Sequence, residues 1–262
     1  MSFAPAAGQP RDTTIHTDST GLEQGMFDLP VKDGTIAAYY AAPQGKKNAP
    51  VVLVIQEIFG VHEHIKDICR RLAKEGYFAV AAELYQRQGD PSTYTDIPKL
   101  ISEIVAKVPD DQVYADLDAC IEWAGKQGAD ATRVGVTGFC WGGRLTWMYA
   151  AHSSKVKAGV AWYGKVATGH GPLIKEQVLD VAAQTHAPVL GLYAGQDGSI
   201  PLDTLDALRD KLAQGNEAAR ASEIVIYPQA DHGFLADYRP MYREVDARDG
   251  WQRMLAWFQR YL

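Results

Sequence analysis

The feature that most constrains this chain is a glycine-flanked cysteine, Cys140, in the segment Gly-Phe-Cys-Trp-Gly-Gly at residues 138–143. A short β-branched run at 133–137 precedes the segment and predicts a buried strand. Long side chains and alanines at 144–151 follow it and predict a helix. A Cβ atom at the flanking glycines would crowd the sharp turn between the two. We therefore expect a strained turn that holds the Cys140 side chain over the end of the strand.

A strand, a glycine-flanked reactive side chain and a helix in this order form the nucleophile elbow of the α/β-hydrolase fold. The usual pattern is Gly-x-Ser-x-Gly, and Cys140 stands at the position of the serine. The first N–H groups of the following helix point at the sulfur and favour its thiolate form. The alternative interpretation is an inert buried cysteine beside a glycine-rich turn.

The remainder of the chain alternates strand and helix patterns after an opening hairpin, whose turn is Asp33-Gly34. Strands are predicted at 26–31, 35–41, 51–55, 77–82, 133–137, 156–163, 188–194 and 223–227. Helices are predicted at 62–75, 97–108, 112–127, 144–151, 176–184, 202–213 and 246–262, and a loop over the site at 165–173. The chain therefore belongs to the α/β class, as a doubly wound, mostly parallel sheet of about eight strands with an N-terminal antiparallel hairpin.

Length and composition fit a single α/β-hydrolase domain at 22–262, preceded by a polar arm at 1–21. The net charge is −6 without a basic stripe, and no apolar run reaches membrane-spanning length, so neither nucleic acid nor a membrane is expected as a partner. Three scattered cysteines suit a reduced cytoplasm. The arm carries no apolar signal segment, although export with prior removal of one stays open. The sequence does not determine the oligomeric state.

Two further residues join Cys140 in a candidate catalytic triad, because Asp197 and His232 each follow a predicted strand. Sites in such sheets form at the carboxyl ends of the strands, and nucleophile, acid, histidine is the chain order of α/β-hydrolase triads. His232 would take the thiol proton and return it to the leaving group, while Asp197 fixes the imidazole tautomer. Asp231 is a weaker candidate acid since its side chain points away from that of its neighbour His232, and Asp203 falls within a predicted helix.

The other histidines give no metal or cofactor site. His62 and His64 resemble a metal-binding pair, but no third ligand lies nearby in the sequence, and both open a predicted helix. We therefore expect neither a metal nor a cofactor.

These residues resemble the dienelactone hydrolase (carboxymethylenebutenolidase) family. The matching segments are residues 56–60, 84–88, 138–143, 162–164, 195–197 and 232–234, so only the N-terminal arm lies outside the resemblance. The resemblance implies hydrolysis of a cyclic enol ester, a dienelactone, to maleylacetate. It also implies that Cys140, Asp197 and His232 form the triad.

The resemblance assigns further roles. The backbone N–H groups of Ile58 and Trp141 would form the oxyanion hole. Glu57 would contact the resting thiol, and Arg87 would hold the carboxylate of the substrate. The alternative for Glu57 and Arg87 is a structural ion pair at the sheet edge.

Two tyrosines and one departure from the family bear on the substrate. Tyr85 and Tyr163 lie at predicted strand ends, where they either line the pocket or pack in the core. The family prototype has a second carboxylate-binding arginine four residues after its histidine, whereas this chain has Ala236 there. Arg239 is available as a substitute, or the site prefers another substrate.

Three functions therefore compete. The first is a cysteine hydrolase of a small, anionic ester or lactone. The second is a broader carboxylesterase or thioesterase, which would prefer neutral esters. The third is a non-catalytic, redox-sensing protein on a hydrolase scaffold. Intact Asp197 and His232 argue against sensing, because sensing needs no proton shuttle.

Overall fold

A central sheet of eight strands organises the fold, and the computed structural model describes residues 3–262. The strands are β1 (Leu22–Val31), β2 (Gly34–Pro43), β3 (Pro50–Ile55), β4 (Phe78–Ala82), β5 (Asp130–Phe139), β6 (Val156–Trp162), β7 (Val189–Ala194) and β8 (Glu223–Tyr227). Their order across the sheet is β1-β2-β4-β3-β5-β6-β7-β8. β2 pairs antiparallel with β1 and β4, and every other pairing is parallel. The fold predicted from the sequence is confirmed.

Eight α-helices connect and cover these strands within the described residues. They are α1 (Glu63–Lys74), α2 (Ile97–Glu103), α3 (Asp110–Lys126), α4 (Trp141–His152), α5 (Val178–Val181), α6 (Leu202–Ala213), α7 (Glu217–Arg220) and α8 (Glu244–Tyr261). None of the described helices is long and apolar enough to cross a membrane.

The sheet register places the ends of β3 and β5 side by side. Ile55 pairs with Gly138, and Val54 pairs with Thr137. Both strands are almost wholly buried at this end, as expected for continuous apolar strands covered on both faces. The residues that follow β3 therefore meet the residues that follow β5 at the carboxyl edge of the sheet.

The structure corrects three helix predictions. The helix predicted at 97–108 ends at Glu103, and a separate 3₁₀ turn follows at Val105–Lys107. Ile104 and Val105, at the break, are both buried. The helix predicted at 176–184 is α5 followed by a 3₁₀ turn at Ala182–Gln184. The sequence analysis missed α7, whose four residues are capped by Asn216.

The N-terminal arm lies across the body of the molecule. The Phe3 ring packs against the rings of His62 and Tyr238. Further along the arm, the hydroxyl of Thr13 donates to the backbone carbonyl of Asp237 at 2.6 Å, and the backbone N–H of Thr17 donates to Asp67 at 2.6 Å. The arm thus contacts the domain through the ring of Phe3 and through hydrogen bonds, among them those of Thr13 and Thr17.

Candidate active site

The predicted elbow around Cys140 is confirmed as a strained turn. Cys140 has φ 57° and ψ −113°, a conformation that a residue with a Cβ rarely adopts. A Cβ added at Gly138 would lie 2.2 Å from the backbone oxygen of Gly142, and one added at Gly142 would lie 2.5 Å from the backbone oxygen of Ile55. Glycine is needed at both positions because helix α4 packs directly against the backbone of β5 and β3. The turn places the cysteine at the N-terminus of α4.

Asp197 and His232 meet at the carboxyl edge of the sheet, as the chain order predicts. Nδ1 of His232 lies 2.6 Å from Oδ2 of Asp197. The other carboxylate oxygen accepts hydrogen bonds from the backbone N–H and the hydroxyl of Ser199, at 2.8 and 2.6 Å. Burial opposes ionisation of Asp197, but these hydrogen bonds prevail and lower its pKa. Asp197 is therefore a fixed anion that orients the imidazole ring.

His232 also interacts with Cys140. Burial alone would lower the pKa of the imidazole. The negative charge of a Cys140 thiolate and hydrogen bonding with Asp197 and Cys140 outweigh burial and raise that pKa to about 10. Cys140 and His232 also line the same cavity, so the imidazole lies within the surroundings of the thiol. Tyr163 packs its ring edge-on against His232 at 5.2 Å and keeps one face of the ring out of water.

A cavity of about 230 Å³ opens beside these residues. It is lined by Glu57, Ile58, Phe59, Ile97, Ile101, Cys140, Trp141, Arg144, Tyr163, Lys165, Thr168, Gly169, His170, Ser199, His232 and Arg239. The loop after β6 supplies four of these, as predicted for residues 165–173. The cavity is small and mostly apolar, with charged groups at defined positions, as is typical of a site for a small polar ligand.

Both predicted oxyanion donors lie at this cavity. Ile58 follows β3, and Trp141 is the first residue of α4. Within residues 3–262, neither backbone N–H donates to a protein acceptor. A first-turn N–H of a helix has no intrahelical acceptor, so the donor at Trp141 is free for a ligand. The two groups are available to bind an oxygen that carries developing negative charge.

The expected role of Arg87 is wrong. Its guanidinium does not line the cavity but pairs bidentately with Asp33, at 2.7 and 2.6 Å, and with Asp116, at 2.8 and 3.0 Å. Two carboxylates satisfy this arginine and tie the hairpin turn to α3. Arg87 thus forms a structural ion pair, although its partners are Asp33 and Asp116 and not Glu57.

Tyr85, the other tyrosine considered for substrate binding, lies in the core beside the cavity. Tyr85 is fully buried and packs its ring against Trp141 at 4.8 Å, behind the wall of the cavity. Its hydroxyl donates to the backbone oxygen of Glu57 at 3.5 Å. Tyr85 supports the cavity wall and does not line it, whereas Tyr163 does.

Glu57 lines the cavity but is held differently from the expectation. Its Oε2 accepts a hydrogen bond from the hydroxyl of Tyr238 at 2.7 Å and lies 3.3 Å from Nε2 of His62. No hydrogen bond joins Glu57 to Cys140 in the part of the chain that the structure describes. Burial would raise the pKa of Glu57, but the hydrogen bond with His62 and the charges of His64, His62 and Arg239 lower it to about 2.

The cationic groups of the cavity differ in whether a carboxylate neutralises them. Arg144 is neutralised by Asp110, at 2.9 and 2.8 Å. Burial and the charges of Lys165, Arg144 and His232 lower the pKa of His170 to about 4, so its ring is neutral at pH 7. Arg239 and Lys165 form no ion pair with a carboxylate among the described residues.

Arg239 is therefore the arginine that the structure places where Arg87 was expected. Its guanidinium stacks over the Phe59 ring, 5.3 Å from the ring centre, and its Nε is buried with no hydrogen-bond partner among the described residues. A buried guanidinium nitrogen without a partner is costly unless a ligand completes it.

Two side chains that hold Glu57, His62 and Tyr238, could not be recognised as site residues from the sequence. His62 was judged only as a possible metal ligand, and Tyr238 was not considered. Buried histidines beside a carboxylate segment were the available signal. Within residues 3–262, no cluster of three His, Cys, Asp or Glu side chains is arranged to hold a metal ion.

The sheet order, the strained cysteine elbow and the Asp197–His232 pair define an α/β-hydrolase. Residues 36–262 match the dienelactone hydrolase family. A protein of Salmonella typhi named "Putative carboxymethylenebutenolidase" is 54% identical over 260 residues, which are 99% of this chain and 95% of that protein. One of the same name from Methylorubrum extorquens is 53% identical over 262 residues, which are 100% of this chain and 88% of that protein.

A solved structure agrees with these relatives. The crystal structure titled "Putative Dienelactone Hydrolase" from Klebsiella pneumoniae has a TM-score of 0.88 at 53% identity, over 92% of this chain and 99% of that chain. The chain belongs to the dienelactone hydrolase family. It is an enzyme of the carboxylic ester hydrolase class.

Proposed function

We propose that the chain hydrolyses a small, carboxylate-bearing ester or lactone through a covalent intermediate on Cys140, and that a dienelactone is its substrate. The observation that supports this most directly is the cavity that brings Cys140 and His232 together with the unpaired guanidinium of Arg239. A nucleophile and a cation within one 230 Å³ space suit a ligand that carries both an ester and an anion.

The first half of the mechanism forms a thioester. The Cys140 thiolate attacks the carbonyl carbon, and the oxygen that becomes negative accepts hydrogen bonds from the N–H groups of Ile58 and Trp141. In other hydrolases, removal of one such donor raises the barrier by about 3 kcal/mol. The C–O bond then breaks, and the imidazolium of His232 gives its proton to the departing enolate or alkoxide oxygen.

The second half releases the acid. Neutral His232 takes a proton from water, which attacks the thioester carbonyl and again places negative charge in the oxyanion hole. Collapse of this intermediate expels the Cys140 thiolate and leaves His232 protonated, as at the start. Asp197 stays ionised throughout and keeps Nδ1 of the ring protonated, so that the other ring nitrogen handles the proton.

Charge and shape favour an anionic substrate over a neutral one. Arg239 and Lys165 bring two unpaired cations to the wall, whereas Glu57 is the carboxylate that faces them. Ile97 and Ile101 add apolar surface to the wall. A planar lactone whose carboxylate reaches Arg239 would cover both the polar and the apolar parts of the wall.

The test is a turnover comparison between a carboxylate-bearing dienelactone and a neutral aryl acetate, for wild type and Cys140→Ala. Wild type should prefer the dienelactone, and Cys140→Ala should lose both activities while remaining folded. Cys140→Ser should retain little activity, because a serine hydroxyl is a much weaker acid than a thiol. Near-normal turnover by folded Cys140→Ala would overturn the nucleophile assignment, and preference for the neutral ester would favour the broader esterase.

A further inference from the structure

A cluster of rings behind the cavity connects Glu57 to the N-terminal arm. The Phe3 ring lies 5.0 Å from the Tyr238 ring and 5.7 Å from the His62 ring, and the latter two are 5.1 Å apart. Both Tyr238 and His62 contact the same carboxylate oxygen of Glu57. The arm residue thus packs on the two side chains that hold Glu57.

The arm has a second anchor beside this cluster. The hydroxyl of Thr13 donates to the backbone carbonyl of Asp237, the residue before Tyr238. The Asp237 carboxylate in turn accepts from Arg71 at 2.5 Å, which ties this loop to α1. Residues 3–35 lie outside the segment that matches the family. The support for Glu57 therefore includes a part of the chain that the match does not cover.

The position of Glu57 matters because of what it faces. Glu57 and Arg239 both line the cavity, and the charge of Arg239 acts on Glu57, yet no direct ion pair joins them among the described residues. The hydroxyl of Tyr238 and the ring of His62 hold the carboxylate by its Oε2 atom. We expect a freed Glu57 side chain to pair with Arg239, since the two carry opposite charges and line the same cavity.

We propose that Phe3, His62 and Tyr238 are positioning residues that keep Glu57 off Arg239, so that Arg239 stays available for the carboxylate of the substrate. The N-terminal arm then contributes to substrate binding, because Phe3 supports the side chains that hold Glu57. This inference rests on the proposed function, because it assigns Arg239 to an anionic ligand. It predicts that substitutions at Phe3 weaken anion binding selectively, because they release the Glu57 carboxylate.

The experiment measures anion binding without requiring turnover. Maleate, a small dicarboxylate, should protect Cys140 from iodoacetamide, and its concentration dependence gives an apparent Kd. We expect Phe3→Ala and Tyr238→Phe each to weaken maleate roughly tenfold, the change expected for one lost buried contact. The KM for a neutral aryl acetate should stay near the wild-type value in both. Phe3→Leu should restore most of the affinity, and Ile15→Ala, at an exposed arm position, should behave as wild type.

A double-mutant cycle separates positioning from general damage. In a Glu57→Gln background there is no carboxylate to release, so adding Phe3→Ala should change the maleate Kd by less than about twofold. An equal loss in both backgrounds would overturn the inference, as would wild-type affinity in Phe3→Ala. Should Tyr238→Phe fail to fold, the Phe3 variants and this cycle still test whether the arm positions Glu57. If maleate does not protect wild type at all, the anionic substrate class fails, and the inference fails with it.

Discussion

At the scale of single residues, the chemistry depends on how Cys140 is held at rest. The sequence analysis expected Glu57 to contact the thiol. The structure instead places Cys140 and His232 at the same cavity and directs Glu57 to Tyr238 and His62. We expect His232, and not Glu57, to set the reactivity of Cys140 before substrate arrives, as in other histidine-paired cysteine enzymes.

Alkylation tests this resting state. Wild type should react quickly with iodoacetamide at pH 7, because His232 stabilises the thiolate. His232→Ala should react slowly at pH 7 and speed up only near pH 8.5, where an unassisted thiol ionises. Glu57→Gln should change the rate little, since Glu57 does not hydrogen-bond the thiol. A large acceleration in Glu57→Gln would contradict this account and restore the expected contact between Glu57 and the resting thiol.

The two arginines give a second prediction at this scale. Arg239→Ala should cost about 2–4 kcal/mol in kcat/KM for a carboxylate-bearing lactone and little for a neutral ester, because the charged partner of the substrate carboxylate is lost. Arg87→Ala is the matched control. It breaks the ion pairs with Asp33 and Asp116, so it should lower the melting temperature without changing the preference between substrates. Selectivity that follows Arg87 instead of Arg239 would reverse our assignment.

At the scale of elements, the elbow is rigid because three backbone segments touch at glycines. Gly142→Ala would place a Cβ 2.5 Å from the backbone oxygens of Ile55 and Gln56. Backbone atoms at the end of a buried strand cannot shift as a flexible side chain can. We expect a loss of about 3 kcal/mol or more, which lowers the melting temperature by roughly 6–12 °C. Gly25→Ala in β1 meets nothing within 4 Å and should be nearly neutral. Equal melting temperatures for the two variants would show that the elbow can relax.

The elements and the triad could be predicted because each is encoded locally. Continuous apolar runs mark the buried strands, and the chain order places Cys140, Asp197 and His232 after β5, β7 and β8, at one edge of the sheet. The partners of Glu57 and Arg87 could not be predicted. Tyr238 lies 181 residues from Glu57, and Asp116 lies 29 residues from Arg87, so only the closed fold shows which groups meet.

At the scale of the whole molecule, distant segments meet in a buried ionic layer behind the site. Beneath the arm, α1 and the loop before α8 bring together buried or largely buried carboxylates and basic groups, at Asp67, Arg70, Arg71 and Asp237. The pKa of Asp237 is lowered: burial opposes ionisation, but hydrogen bonds and charges from His64 and Arg71 prevail. Such layers depend on every member keeping its charge. The molecule should therefore be sensitive to acid as a unit.

The last prediction concerns the acid sensitivity contributed by Glu57. Its pKa is 4.5 unperturbed and about 2 in the folded protein, so its stabilising contribution is present above pH 4.5 and is lost as the pH falls toward 2. The full contribution is about 3 kcal/mol, of which about 2 kcal/mol should disappear between pH 5 and 3. Thermal unfolding of wild type and Glu57→Gln across that range measures the difference. Glu57→Gln should lose less stability than wild type, whereas Glu122→Gln, at an exposed position, should follow wild type. Parallel curves for wild type and Glu57→Gln would mean that Glu57 is not a buried anion in the folded protein.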